Sequence, residues 1–493
     1  METIGKLVIK SANAYPTKIA VKDRHRTLTY AELMERAYAL TAFFQKVGLR
    51  KGDRLGILMS NRFEHIELDV AVALSGIIKV PLNYRLHPKE HEYMLKDAGV
   101  NLVIGEAVLI EAIDLKMNVL PVGEQYERVI QQYRGMRNNE DIGEDDLFAI
   151  MYTSGTTGNP KGVMLTHRNI LAGALSLAVA CDANYGDVIG HVAPLTHGSN
   201  FLSHVAWLYG LTQVVFDKFE PEEFVNDLER EQVSIIFLVP TMVNLMIQHP
   251  NFDPSKLSTL KSINMAGSPI AASKLKQAIS LTGPIYAQTY GQVEAPMCIT
   301  MMPKGEMADR LESCGRTGLF VDVKIVDGAN VELADGEVGE IICKGSLVMK
   351  GYWNNKQATA DTLKDGWLHT GDLGWKSPEG YIHIVDRKKD VIISGGVNIY
   401  PREVEEVLNL HAGVKETCVI GVPDDKWGEN VVAYVVPNGT VPVTSEELLA
   451  LCLENMASFK KPKEIHIVNA LPKSSYGKIL KRELREQHEE VQA

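Results

Sequence analysis

Apolar residues fall along this chain in two alternating textures. Short, largely apolar runs at Arg54–Met59, Ile77–Pro81, Asn101–Ile104, Gln213–Phe216, Ser234–Val239 and Ser262–Met265 have the length of buried strands. Between them, helical spacing marks Phe63–Gly76, His87–Ala98, Pro221–Arg230, Met242–Gln248 and Ser273–Ile279. Near the start, Ile19–Lys22 and Leu28 flank a basic turn and predict a hairpin. Thr29 and Glu32 form a capping-box pattern that opens a helix to about Val47. Leu147–Met151 (LFAIM) predicts a buried strand running into the polar stretch YTSGTTGNPKGV (152–163). A helix leaves that stretch from His167, with the apolar run Ile170–Cys181. Strand–helix alternation of this kind predicts a parallel, helix-covered sheet.

The texture changes from Gly315 to Tyr352. VDVKIVD, the Asp335-Gly336 turn and GEIICKG predict strands of a smaller, β-barrel-like unit. A boundary falls near Asp386, before Arg387-Lys388-Lys389 and the flexible Ser394-Gly395-Gly396. The expected division is residues 1–386, a large α/β N-terminal domain, and residues 387–493, a small α+β C-terminal domain. The latter reads as a helix after Pro401, strands at Thr417–Gly421 and Val431–Val436, a capped helix from Thr444 and a basic loop, Lys473–Lys481.

Composition narrows the function classes. A net charge of −11 argues against a general nucleic-acid binder, while leaving room for a local anion site. None of the six cysteines has CxxC spacing, so buried free thiols in a reducing, cytoplasmic compartment are expected. No secretory signal is visible at the start. Asp187 to Asp217 encloses a stretch without Asp, Glu, Lys or Arg, but Pro194, His197, Gly198, Asn200 and His204 interrupt it. Burial around an internal site explains it better than a membrane span.

The stretch 152–163 packs glycines, hydroxyls and Lys161 between apolar flanks, as a phosphate-holding turn requires. It is not the Walker pattern, because Pro160 stands where that pattern needs its second glycine.

YTSGTTGNPKGV, TYGQVEAP, GWLHTGD, VDRKKD, SGGVNIYP and LPKSSYGKILKREL occur here in one order. That order resembles the adenylate-forming enzymes, over about residues 5–485. GVPDDKWGE and SFKKPK make the chain most similar to the acyl- and aryl-CoA synthetases of that superfamily. The resemblance implies ATP, Mg2+ and coenzyme A, and formation of acyl-AMP followed by acyl-CoA. Thr153, Ser154, Gly155, Thr156, Thr157, Gly158 and Lys161 match the loop for the outer phosphates. Gly267, Ser268, Pro269, Thr289, Tyr290, Gly291 and Gln292 match the adenine and phosphate segments. Asp372 matches the ribose-binding carboxylate, with Arg387 beside it. Glu294, with Thr153, is the implied Mg2+ site; hard cations prefer oxygen ligands. Lys478 is the implied adenylation lysine, a mobile ammonium that would stabilise charge at the α-phosphorus. The resemblance also makes the C-terminal domain mobile, with its hinge at Lys389. Ser394, Gly395 and Gly396 would line the pantetheine path, and Phe459, Lys461 and Lys463 would hold the CoA nucleotide. His197 would stand beside the acyl carboxylate. Asn200, Phe201, His204, Val239, Thr241, Met242 and Gly267 complete the expected acyl pocket.

Three positions depart from the pattern. Val293 replaces a usual Thr that contacts the α-phosphate, removing one hydrogen bond that Gln292 or a backbone N–H would have to replace. Ala266 replaces a glycine, and Tyr476 a small hydroxyl residue. None removes a charged catalytic group. The expected activity is therefore an acid–thiol ligase acting on a largely apolar fatty or aryl acid. Its alternatives are an acyl-AMP ligase loading a carrier-protein pantetheine and a catalytically inactive nucleotide-binding regulator. No transmembrane segment is expected, and the pattern leaves a homodimer open.

Overall fold

The computed structural model describes residues 2–138, 140–153, 159–473 and 479–492. Two mixed sheets form the N-terminal part. In the first, of nine strands, Thr212–Val215, Val188–His191, Ile235–Leu238, Ser262–Met265 and Tyr286–Gln292 run parallel in that order. Ala295–Met302 turns back against the last of these, and the hairpin Ile19–Lys22/Thr27–Thr29 closes the opposite side. In the second, of seven strands, Ile78–Leu82, Arg54–Leu58, Leu102–Gly105 and Asn118–Pro121 run parallel. Leu147–Thr153 joins beside Ile78–Leu82.

One continuous core holds the two sheets together. The helix Phe63–Ser75 is buried at every residue, the signature of a helix packed on all faces. His167–Ala180 and Gly198–Tyr209 contribute to the same core. The uncharged stretch is thus an internal strand, helix and strand, and no helix among the described residues is long and apolar enough to cross a membrane. All six cysteines are buried free thiols. The capping boxes expected at Thr29–Glu32 and at Thr444 both form.

The smaller β unit is a five-stranded antiparallel sheet that includes Val321–Val326, Gly339–Gly345, Trp367–Lys376 and Ile382–Arg387. Beyond a short 3-10 turn at Lys388–Asp390, the chain builds a second five-stranded sheet with its own apolar clusters. Its long hairpin pairs Val414–Asp424 with Gly428–Pro437, and the helices Pro401–Leu408 and Ser445–Asn455 pack on it.

One expectation is corrected. The stretch after Leu147–Thr153 does not lead straight into a helix. Lys161–Thr166 is a strand that pairs back antiparallel, with Thr153 opposite Lys161, before the helix begins. Thr153 and Lys161 thus face each other across a hairpin, and helix His167–Ala180 begins only after its second strand. KGVMLT is short and merges with the apolar run behind it, so periodicity alone does not separate this strand from the helix.

Candidate active site

The site lies where the ends of several strands converge. A hydrogen-bonded group is centred on Asp372, in strand Trp367–Lys376. Its Oδ2 accepts from Tyr290 Oη at 2.7 Å and Gln292 Nε2 at 2.8 Å, and its Oδ1 faces Arg387 Nε at 3.2 Å. Arg387 is its cross-strand partner in register. Asp372 is 4% exposed. Burial and the carboxylate beside it push the Tyr290 phenol well above its ordinary value, so it remains a donor. A carboxylate can accept about four hydrogen bonds, so acceptor capacity remains for a diol.

A second group surrounds Glu294, in the turn between Tyr286–Gln292 and Ala295–Met302. Its Oε1 accepts from Tyr352 Oη at 2.7 Å. Lys161 Nζ lies 5.1 Å from the Tyr352 ring centre. Burial, and then Glu294, raise the Tyr352 pKa, so it also remains a neutral donor. Only glycine fits at 291, near the end of strand Tyr286–Gln292: a Cβ there would stand 2.5 Å from Met297 N and 2.8 Å from Ala295 O. Gly162 is likewise packed against Ile150, Tyr152 and Trp353. Tyr352 was not among the expected residues. The Gly351-Tyr352-Trp353 sequence, an aromatic pair after a glycine at φ +139°, was the available signal.

Two cavities meet here, of about 400 and 810 Å3. Both are lined by Thr241, Gly267, Ser268, Gly291, Gln292 and Arg387. The smaller adds Pro269, Thr289, Tyr290 and Asp372. The larger adds Thr153, Lys161, Glu294 and Val293, together with an apolar wall of Phe201, Phe237, Val239 and Met242. Arg85, which no motif singled out, also lines it. His197 lines this cavity, and burial lowers its pKa to about 4, which leaves it neutral near pH 7. Oxygen ligands for a hard cation are present, since Thr153 and Glu294 line the same cavity.

Two expected pocket residues stand elsewhere. Asn200 is engaged with a buried ion pair: Lys79 Nζ donates to its Oδ1 at 2.7 Å and its Nδ2 donates to Asp69 Oδ2 at 2.6 Å. His204 is buried against Phe148 and Phe201 and lines neither cavity. Both lie on helix Gly198–Tyr209, whose cavity side carries Gly198 and Phe201 instead. Gln292 cannot stand in for the hydroxyl missing at Val293 without giving up existing bonds, because its amide donates to Asp372 and to Thr370 O.

Ser154, Gly155, Thr156, Thr157, Gly158, Tyr476 and Lys478 lie outside the described residues. The two ends of the 474–478 segment are Lys473 and Ile479, which bridge to each other and line the smaller cavity. Lys389 is an exposed residue of the 3-10 turn, and partial desolvation of its ammonium lowers its pKa.

None of Ser394, Gly395, Gly396, Phe459, Lys461 or Lys463 lines either cavity. Ser394–Val397 is a hairpin end with Gly395 and Gly396 at φ +58° and +78°. Trp427, within GVPDDKWGE, connects this hairpin to the basic patch. Its O accepts from Gly395 N at 2.7 Å, and Lys463 Nζ lies 5.7 Å from its ring.

A family profile described as AMP-binding enzyme matches residues 8–353, and one described as AMP-binding enzyme C-terminal domain matches 403–478. A feruloyl-CoA synthase of Amycolatopsis sp is 35% identical over 98% of both chains. A medium/long-chain-fatty-acid–CoA ligase of Mycobacterium tuberculosis is 33% identical over 98% of this chain and 89% of its own. Among solved structures, ATP-bound MatB from Rhodopseudomonas palustris superposes with a TM-score of 0.92 at 29% identity, covering 99% of this chain and 100% of that one. Apo MatB gives 0.82.

Proposed function

This chain belongs to the AMP-binding enzyme family, and from that premise we propose an ATP- and Mg2+-dependent acid–CoA ligase for a largely apolar aryl or fatty acid. One observation carries the reading. The apolar wall of Phe201, Phe237, Val239 and Met242 opens into the same cavity as Lys161, Glu294 and Arg387. An acid seated on that wall directs its carboxylate towards the nucleotide.

The residues divide the work. Asp372 accepts the ribose hydroxyls while Tyr290, Gln292 and Arg387 hold it in place. Lys161 and the 153–158 segment take the outer phosphates. Thr153 and Glu294 would hold Mg2+, which neutralises phosphate charge when bound; Tyr352 orients Glu294. A neutral His197 flanks the acid and offers a hydrogen bond without attracting a second carboxylate. The acid's carboxylate oxygen attacks the α-phosphorus, pyrophosphate leaves, and the Lys478 ammonium stabilises the charge that accumulates between them. In the second half-reaction the CoA thiol, deprotonated, attacks the acyl carbonyl and AMP leaves.

Two orientations of the 387–493 domain about Lys389 would serve the two steps. The higher TM-score to the ATP-bound than to the apo relative supports the first orientation for this structure. The second would bring Ser394, Gly395 and Gly396 to the acyl group, with Trp427, Phe459, Lys461 and Lys463 on the CoA nucleotide. Buried free thiols favour a reducing compartment such as the cytoplasm. The test is a panel of cinnamic, benzoic, aliphatic and dicarboxylic acids with ATP, Mg2+ and either CoA or a carrier protein. The apolar monocarboxylates are expected to yield AMP, pyrophosphate and acyl-CoA. No acyl-CoA from any acid would overturn the reading.

A further inference from the structure

Away from the nucleotide site, Glu464, His466 and His488 each offer one metal-ligating atom, and the three atoms lie within 4.8 Å of one another. Glu464 and His466 are two apart on strand Glu464–Ile467, so their side chains share a face. His466 is in register with Tyr434 on the neighbouring parallel strand, and the two rings stack at 5.1 Å. His488 comes from the terminal helix Lys481–Gln492 and is 5% exposed. Its Nδ1 lies 3.0 Å from Tyr434 Oη, and its ring meets His466 edge-on at 5.6 Å. Glu464 Oε2 and His466 Nε2 are 3.0 Å apart.

We propose that Glu464, His466 and His488 form a binding site for a divalent transition-metal ion of the zinc class, which clamps the terminal helix to the C-terminal sheet. Two imidazoles and one carboxylate suit such an ion and leave a position for water. Ligand bonds of about 2.0–2.2 Å set ligand atoms about 3.3–3.6 Å apart around a tetrahedral ion. The three atoms lie within 4.8 Å of one another, so reaching that spacing needs a movement of at most about 1.5 Å. Glu464 and His466 can supply that movement, since their side chains are 42% and 40% exposed. On binding, the ion takes the place of the direct Glu464–His466 contact. The Tyr434 hydroxyl already holds one ring nitrogen of His488, as metal-bound histidines require for a fixed ring orientation. The clamped helix begins just after residues 474–478, so the ion would steady the element that follows Lys478.

The test uses full-length, tag-free, chelator-stripped protein without nucleotide, in excess Mg2+. Zn2+ equilibrium dialysis should give one ion per chain at micromolar affinity or tighter, and Co2+ should give a visible absorption band of low-coordinate type. His466→Ala and His488→Ala should abolish both signals. Tyr434→Phe should weaken binding by about 10-fold or more. Glu464→Gln sits on the half-exposed strand, keeps the fold, and should weaken binding at least as much; it carries the test if His488→Ala unfolds. Absence of stoichiometric binding, or binding unchanged in Glu464→Gln and His466→Ala, overturns the proposal and leaves a hydrogen-bonded aromatic stack.

Discussion

Replacing Asp372 by Asn tests the nucleotide half of the site with the least disturbance. The side chains are nearly isosteric, but Asn has one acceptor oxygen where Asp has two. The Oδ2 side carries two donors, Tyr290 at 2.7 Å and Gln292 at 2.8 Å, so the amide oxygen will settle there. The amide NH2 then faces Arg387, a donor, and the ribose hydroxyls lose their acceptor. A hydrogen bond to a charged group contributes about 1.5–3 kcal/mol. The ion pair with Arg387, whose side chain is 39% exposed, adds at most about 1 kcal/mol. Loss of the ribose bond alone predicts a fall of about 10- to 150-fold in kcat/KM for ATP. The assay is acid-dependent ATP–pyrophosphate exchange, with urea unfolding as the control for folding. An unchanged kcat/KM in a normally folded variant would refute the assignment of Asp372 to the ribose.

Three further outcomes are expected. Tyr352→Phe removes the hydroxyl donor that Glu294 has among the described residues, so exchange activity should need about 10-fold more Mg2+; an unshifted Mg2+ dependence would contradict that role. Asp69→Ala strands the Lys79 ammonium, 2.8 Å from it, in the core beside Asn200. Urea unfolding should show a loss of about 3–5 kcal/mol, and a near-wild-type midpoint would be inconsistent with a charged buried pair. His65, His167, His191 and His197 have pKa values lowered from 6.5 to about 4 by burial, and His204 to about 3. Below pH 6.5 the unfolded chain takes up these protons and the folded chain does not. Each group thus costs about 1.4 kcal/mol of stability per pH unit, until the folded value is reached. Acid unfolding should therefore set in between pH 6 and about 4.5, whereas a flat stability from pH 7 to 4 would show that these imidazoles are solvated.

Much of the architecture is legible in the sequence because its signals are local. Capping boxes, apolar runs and turn glycines fix most helices and parallel strands, and Thr29–Glu32 forms the cap it spells. The hairpin strand Lys161–Thr166 escaped because its pairing with Leu147–Thr153 is a register relation, which periodicity does not encode. Asp372, Tyr290, Gln292 and Arg387, which the resemblance assigns to the nucleotide, come together from separate motifs. Asn200 and His204 were misplaced because an uncharged stretch cannot say which side of helix Gly198–Tyr209 meets the cavity. The partners that decide it, Asp69 and Lys79, lie more than a hundred residues earlier. Tyr352 and Trp427 were missed because each acts by holding another residue, Glu294 or the Gly395 hairpin, and such roles appear only in three dimensions.

The central claim is that one chain runs two half-reactions, with the adenylation charge supplied from its C-terminal end to a site built by its N-terminal part. Lys478→Ala tests this most directly, with both half-reactions measured on the same preparation. ATP–pyrophosphate exchange should fall by about 100-fold or more, with thioester formation from supplied acyl-AMP and CoA largely retained. Equal loss of both half-reactions, or exchange at the wild-type rate, would contradict it.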